Sequence, residues 1–218
     1  MKKKDWTGYL LELLVVIIGV TIAFGLNNWR EGSKQDDLEE LYLQSLQNDL
    51  AQDAAMLADW KDRQEATIAR IGQLIAMKTS GRVVEDSLSA CFRAMNYSLA
   101  FVPTSSTFRS MESSGNLSII SDFEMRKALT TYYEIYCPSL AQMDMAYEKH
   151  TAQFSAPFFM EHARYSPMGK LDPSIMEGPY VSNIIFSQFY LARSRLDVYQ
   201  RTQTACGELL EKLQAANE

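Results

Sequence analysis

From residue 9 to residue 26 the chain reads YLLELLVVIIGVTIAFGL, where fourteen of eighteen positions are apolar and only Glu12, Gly19, Thr21 and Gly25 break the run. A helix of this length spans ~27 Å, and Trp6 to Trp29 spans ~36 Å, the thickness of a bilayer core with its interfaces. The pattern predicts a transmembrane helix over 9–29, with Trp6, Tyr9 and Trp29 as interfacial anchors. Beyond it the period changes. Leu43, Leu46, Leu50, Asp53, Leu57, Trp60, Gln64, Thr67, Ile71 and Leu74 recur at alternating spacings of three and four, as far as Thr79-Ser80-Gly81. This predicts a helix of about 45 residues, started by Ser33 as N-cap with Asp36 and Asp37 in its first turns. Asp53 lies on the stripe and is expected at its solvated edge.

Shorter elements follow. Residues 83–97 form a helix with Leu88, Cys91, Phe92 and Met95 inward, and Pro103 marks a loop. Residues 104–114 form another, with Gly115 placed for the left-handed conformation that ends helices. Ser121-Asp122-Phe123-Glu124 has the form of a capping box opening the next helix, which Cys137-Pro138 is expected to end or kink. Residues 139–164 continue as helix, interrupted near Pro157, and residues 165–179, with three prolines and two glycines, form the long loop. The last helix carries Ile185, Phe189, Ala192, Leu196, Tyr199, Gln203, Cys206, Leu210 and Leu213 at spacings of four and three. No strand pair or internal repeat is evident. The fold expected is all-α: an N-terminal transmembrane helix, then an antiparallel helical bundle with long first and last helices.

On a helical wheel Gly8, Glu12, Val16, Gly19, Ala23 and Asn27 share one side of the first helix, a face that is small or polar. Small residues four apart let transmembrane helices approach closely, so this face is the expected packing surface. Glu12 has two readings: a carboxyl that reaches the interface or is protonated, or a functional group within the membrane.

Charge orients the span. Lys2, Lys3 and Lys4 precede it with Asp5 alone to offset them, while Arg30 and Lys34 lie among five nearby acids. The excess of lysine places residues 1–8 in the cytoplasm and residues 30–218 in the periplasm, with the span in the inner membrane. Ala23-Phe24-Gly25 resembles a signal-peptidase site, but the apolar run is longer than a signal peptide's, so an uncleaved anchor is expected. The net charge of −6 and the pI near 5.1 speak against nucleic-acid binding. The mean hydropathy of −0.19 averages the apolar span with an acidic remainder of ordinary soluble composition.

Candidate chemistry is sparse. His150 and His162 are twelve residues apart and fall about 120° apart on a shared helix, so no metal site joins them. There is no Cys-x-x-Cys, no phosphate-binding glycine loop and no nucleophile elbow, so neither metal nor cofactor is expected. Ser113 and Ser114 read as the end of a helix rather than as nucleophiles, and the aromatic positions read as core. In an oxidising compartment Cys137 could pair with Cys91 or Cys206.

Two blocks carry a family resemblance. Leu11 to Val20 with Asn27-Asn28-Trp29-Arg30-Glu31, and Thr107-Phe108 with Ser113-Ser114-Gly115-Asn116-Leu117, Ile119-Ile120, Leu129 and Tyr132-Tyr133, resemble an uncharacterised family of bacterial single-pass membrane proteins. That family has an early Glu and a terminal Asn-Asn-Trp in its span, and a central Ser-Ser-Gly segment. The resemblance implies topology and helical content but no catalytic residue. The function expected is a non-catalytic scaffold or accessory subunit of a larger inner-membrane complex, for example an energy-transducing one, respiratory or photosynthetic. Its partners would be membrane lipids and other subunits, or a second copy, met through the transmembrane helix. The alternative is a periplasmic ligand-binding or sensory module that signals through a partner.

Overall fold

The computed structural model of the chain describes residues 6–98, 100–168 and 170–216. The basic residues Lys2, Lys3 and Lys4 of the expected cytoplasmic tail lie outside them. The first element, α1, is one helix over Trp6–Ser80. The break expected at Ser33 does not occur. Helix formation is cooperative and a new nucleus is costly, so two strongly helical segments join when only Gly32-Ser33, and no proline, separates them. Gly81, at φ 67°, ends the helix.

Three further legs complete an antiparallel four-helix bundle. The second is broken, formed by α2 (Glu85–Asn96) and α3 (Ser106–Ser114). Its contacts descend α1 in order: Cys91 meets Gln73, Thr104 meets Asp53, Thr107 meets Asp49 and Asn116 meets Tyr42. The third leg returns as α4 (Phe123–Thr131), α5 (Cys137–His150) and α6 (Ala156–His162). The fourth is α7 over Pro179–Ala216. Hydrogen bonds place residue 50 opposite 206, 64 opposite 192 and 78 opposite 178, so α7 runs antiparallel to α1 without a slip in register.

The prolines of the third leg do not end it. Each follows a five-residue π turn, Tyr132–Tyr136 before Cys137-Pro138 and Thr151–Ser155 before Ala156-Pro157. Proline lacks an N–H and its ring crowds the carbonyl four residues back. In both places the residue before the proline donates instead to the carbonyl five back, Cys137 to Tyr132 and Ala156 to Thr151. The widened turn accommodates the ring while the helix continues. It also turns two successive side chains, Tyr132 and Tyr133, into the core.

Two local expectations are corrected. The cap of α4 is Asp122, whose carboxylate accepts from the N–H groups of Glu124 and Met125; Ser121 instead donates from N and Oγ to Glu39 at 2.7 and 2.9 Å. The loop after α6 contains a 3₁₀ turn over Pro173–Met176 and ends at Gly178, because Pro179 is the first residue of α7, a favoured place for proline. Gly115 takes the left-handed conformation (φ 74°) that ends α3, as expected. No atom lies within 4 Å of where a Cβ would stand, so Gly115→Ala should cost only the backbone penalty of about 1 kcal/mol. Urea titration checks this; a loss several times larger would mean that the turn does more than reverse the chain.

The interior has two apolar clusters. One holds Leu43, Leu46, Leu50 and Leu57 with Phe108, Tyr132, Cys206 and Leu213; the other holds Ile71 and Leu74 with Phe92, Tyr147, Ile185 and Ala192. Between them lies a buried polar layer of Gln64, Asp144 and Arg195, while Gln188 is buried within the second cluster, donating to the Met95 carbonyl and to Thr151. The part of α1 before Glu39 takes no part in either cluster. Every described side chain from Tyr9 to Glu31 is exposed, including Val15 at 62% and Phe24 at 66%.

Candidate functional site

The apolar segment belongs to one continuous helix and is exposed on every side. Glu12, Val16, Gly19, Ala23 and Asn27 are all exposed, and a Cβ at Gly19 would meet nothing within 4 Å. Tyr9 and Trp29 are 65% and 74% exposed. Trp6 and Gly8 belong to the same helix, but their surroundings lie outside the described residues. Rising ~1.5 Å per residue, α1 covers ~15 Å between Trp29 and Glu39, where the bundle begins.

Ser113 and Ser114 are occupied structurally. Ser113 Oγ donates to the Ser110 carbonyl at 3.1 Å, and Ser114 Oγ donates to the same carbonyl at 2.7 Å. The turn that follows docks on α1 where it enters the bundle, through Asn116 Nδ2 donating to Tyr42 Oη at 3.0 Å and through Ser121 on Glu39. The block therefore joins the second and third legs and fastens that corner to the first. Beside this corner a cleft of about 630 Å³ is lined by Asp36, Glu39, Glu40 and Asp122 over Leu43 and Met125.

The disulfide expected at Cys137 is not formed, and all three cysteines are free and buried. Cys91 packs in one apolar cluster, Cys137 and Cys206 in the other, which separates Cys137 from one of its two expected partners. Burial pushes the thiols up, Cys137 to about 12 and Cys206 to about 11. Such thiols pack as small apolar groups rather than react.

Sequence reasoning set Gln64 on the inward stripe but missed its partners in the polar layer, Asp144 and Arg195. Asp144, 3% exposed, accepts from Arg195 Nε at 2.6 Å and from the Phe101 N–H at 2.8 Å. Arg195, also 3% exposed, lies over the rings of Tyr147 and Tyr199 and donates to Gln64 Oε1 at 3.3 Å. Burial raises the Asp144 carboxyl from its ordinary range, against the pull of the guanidinium and the Phe101 N–H. Asp53 is likewise fully buried rather than at a solvated edge. It accepts from the Thr104 N–H at 2.7 Å and from Tyr132 Oη at 2.9 Å. Burial raises its carboxyl too, with Asp49 adding like charge. Three carboxylates on two legs thus hold the backbone between α2 and the first turn of α3: Asp144 at Phe101, Asp53 at Thr104 and Asp49 at Thr107. Each satisfies an N–H that helix ends and loops leave open. All three carboxylates fasten this backbone to its neighbours. His150 Nε2 lies 2.8 Å from Ser187 Oγ and His162 stacks on Phe158. Among the described residues no group of three or more His, Cys, Asp or Glu side chains could hold a metal ion.

The molecule is thus an all-α helical bundle whose first helix includes a segment long and apolar enough to cross a membrane. A model of DUF6090, a family of unknown function, matches residues 12–160, and the chain belongs to this family. The match runs from Glu12 to Met160, through α5 into α6, and stops short of α7. No curated protein and no solved structure is significantly similar to the chain.

Proposed function

We propose that the protein is a non-catalytic, membrane-anchored scaffold or accessory subunit of a larger inner-membrane assembly, with its N-terminus in the cytoplasm and its bundle in the periplasm. The observation that carries this reading is the lone stretch of α1. From Tyr9 to Glu31 an apolar helix and its polar continuation lie exposed, in one uninterrupted helix with the principal leg of the bundle. In lipid, association of such a helix depends on close packing, and Gly19 and Ala23 with Glu12 and Asn27 provide a surface for it. Because no loop intervenes, a partner gripping the anchor would set the orientation of the whole bundle.

Native gels of gently solubilised membranes test the proposal. The wild-type chain should migrate within a complex much larger than its own 24.8 kDa, and Gly19→Leu with Ala23→Leu should release it. A wild-type chain running as a monomer would refute the scaffold role. Protease should digest the bundle in spheroplasts but not in intact cells; protection in spheroplasts with digestion only after lysis would refute the orientation.

A further inference from the structure

Outside the core and the anchor, one concavity combines apolar walls with a single directed charge. Between α2 and α6 lies a groove of about 360 Å³, within the size range of small-molecule sites. Phe159 lines it and packs on the buried Phe92, with ring centroids 5.8 Å apart. Its rims carry Tyr97 and Tyr165, each 56% exposed, and Met160, 82% exposed. Large apolar side chains gathered on a water-facing surface mark binding sites more often than chance exposure does. Arg93 is the one charged residue lining the groove, and it makes no ion pair among the described residues. Asn96, also in the lining, donates to the Phe92 carbonyl and accepts from Ser155. The one charged function of the groove is therefore a guanidinium, beside the hydroxyls of Ser89, Tyr97 and Tyr165, in a chain whose overall charge is −6.

We propose that this groove binds a small apolar carboxylate, its chain lying along the aromatic and methionine walls and its head paired with Arg93. A planar guanidinium matches a carboxylate with two parallel N–H bonds. At roughly the volume of one water per methylene, the cavity accommodates a chain of about eight to twelve carbons. The ligand comes from solution rather than from the bilayer. Cys91, two residues before Arg93 on α2, meets Gln73 of α1, which lies ~65 Å along that helix from Trp29. A lipid held in the membrane cannot reach it.

Equilibrium dialysis of labelled octanoate against the full chain in phosphatidylcholine nanodiscs, with empty nanodiscs subtracted, tests this. One saturable site per chain is expected. Arg93→Gln should weaken it about tenfold, the scale of one charge-assisted bond, Arg93→Lys, which keeps the charge but not the two parallel N–H bonds, should fall between the wild type and Arg93→Gln, and Met160→Asp should abolish binding. Octanol, which keeps the chain and loses the charge, should bind about tenfold more weakly. Both substituted residues are exposed, so unchanged thermal melts will show that the variants fold. Uptake no greater than that of empty nanodiscs overturns the proposal. So does saturable binding that ignores Arg93→Gln and Met160→Asp, or octanol binding as tightly as octanoate. Sedimentation showing a dimer that Met160→Asp dissociates would assign the groove to a second copy instead.

Discussion

Asp144→Ala should destabilise the bundle by about 3–5 kcal/mol, because it leaves the Arg195 guanidinium buried without its counter-charge. Arg195 is 3% exposed and lies between the two apolar clusters, where solvent compensates poorly for the lost carboxylate. The same change orphans the Phe101 N–H. Arg195→Met should cost less, and the difference should widen in mild acid. A carboxyl already raised by burial can take up a proton and become neutral, whereas a guanidinium cannot lose one. The methionine also keeps much of the packing against Tyr147 and Tyr199 that the arginine stem supplies. Denaturant titrations of both variants at pH 7.5 and pH 5.5 decide the matter. Equal losses at both pH values would mean that Arg195 reaches water in solution and that the layer is not the dry partition its geometry describes.

That layer also shows where the sequence was legible. On α1 eight of the ten positions chosen by apolar period, from Leu43 to Leu74, are buried and Trp60 and Thr67 are half-buried, because leucine and isoleucine at six of them fix the phase of the stripe. On α7 half of the stripe is correct: Ile185, Ala192, Tyr199, Cys206 and Leu213 are buried at intervals of seven. The other half lies one residue late. Phe189, Leu196, Gln203 and Leu210 are only half-buried, and the inward positions are Gln188, Arg195, Thr202 and Leu209. A search for apolar residues passes over an arginine and a glutamine in favour of a neighbouring Leu or Phe. A strict seven-residue spacing from Val181 would have found them, since period is independent of polarity.

The third leg was misread for a different reason. Pro138 and Pro157 are strong helix breakers by local rules, and no local rule says that a π turn will precede them. The choice depends on what the continued helix gains, namely burial of Tyr133 against Phe108 and of Tyr132 against Tyr133 and of Tyr147 in the second cluster, which only the assembled bundle determines. The role of the Ser-Ser-Gly block was legible, because hydroxyls bonding back to their own helix and a glycine beyond its end are local chemistry. Its docking on Tyr42 and Glu39 was not, since those residues are remote in sequence.

Asp53 yields the second large effect, and here the sign with pH is the test. Its carboxyl is raised by burial, then held by the Thr104 N–H and the Tyr132 hydroxyl. Between the ordinary carboxylate value of about 4 and this higher folded value, the folded chain binds more protons than the unfolded one. Stability from this group therefore increases as pH falls through that window and is lost as pH rises. Asp144 acts in the same direction. Asp86 and Asp172, held low by Lys170 and by Ser174, act in the opposite one but are fully exposed and weakly coupled. The melting temperature should accordingly be higher at pH 5.5 than at pH 7.5. Asp53→Asn should raise the value at pH 7.5 or leave it within about 1 kcal/mol, and should flatten the slope. An amide there can still accept from Thr104 through its oxygen and donate to the Tyr132 oxygen through its nitrogen. Asp53→Ala removes both partners and should cost about 3 kcal/mol at either pH. If Asp53→Asn instead destabilises the bundle as much as Asp53→Ala, the charge itself is required, and the carboxylate is anchored by something stronger than the two hydrogen bonds that hold it here.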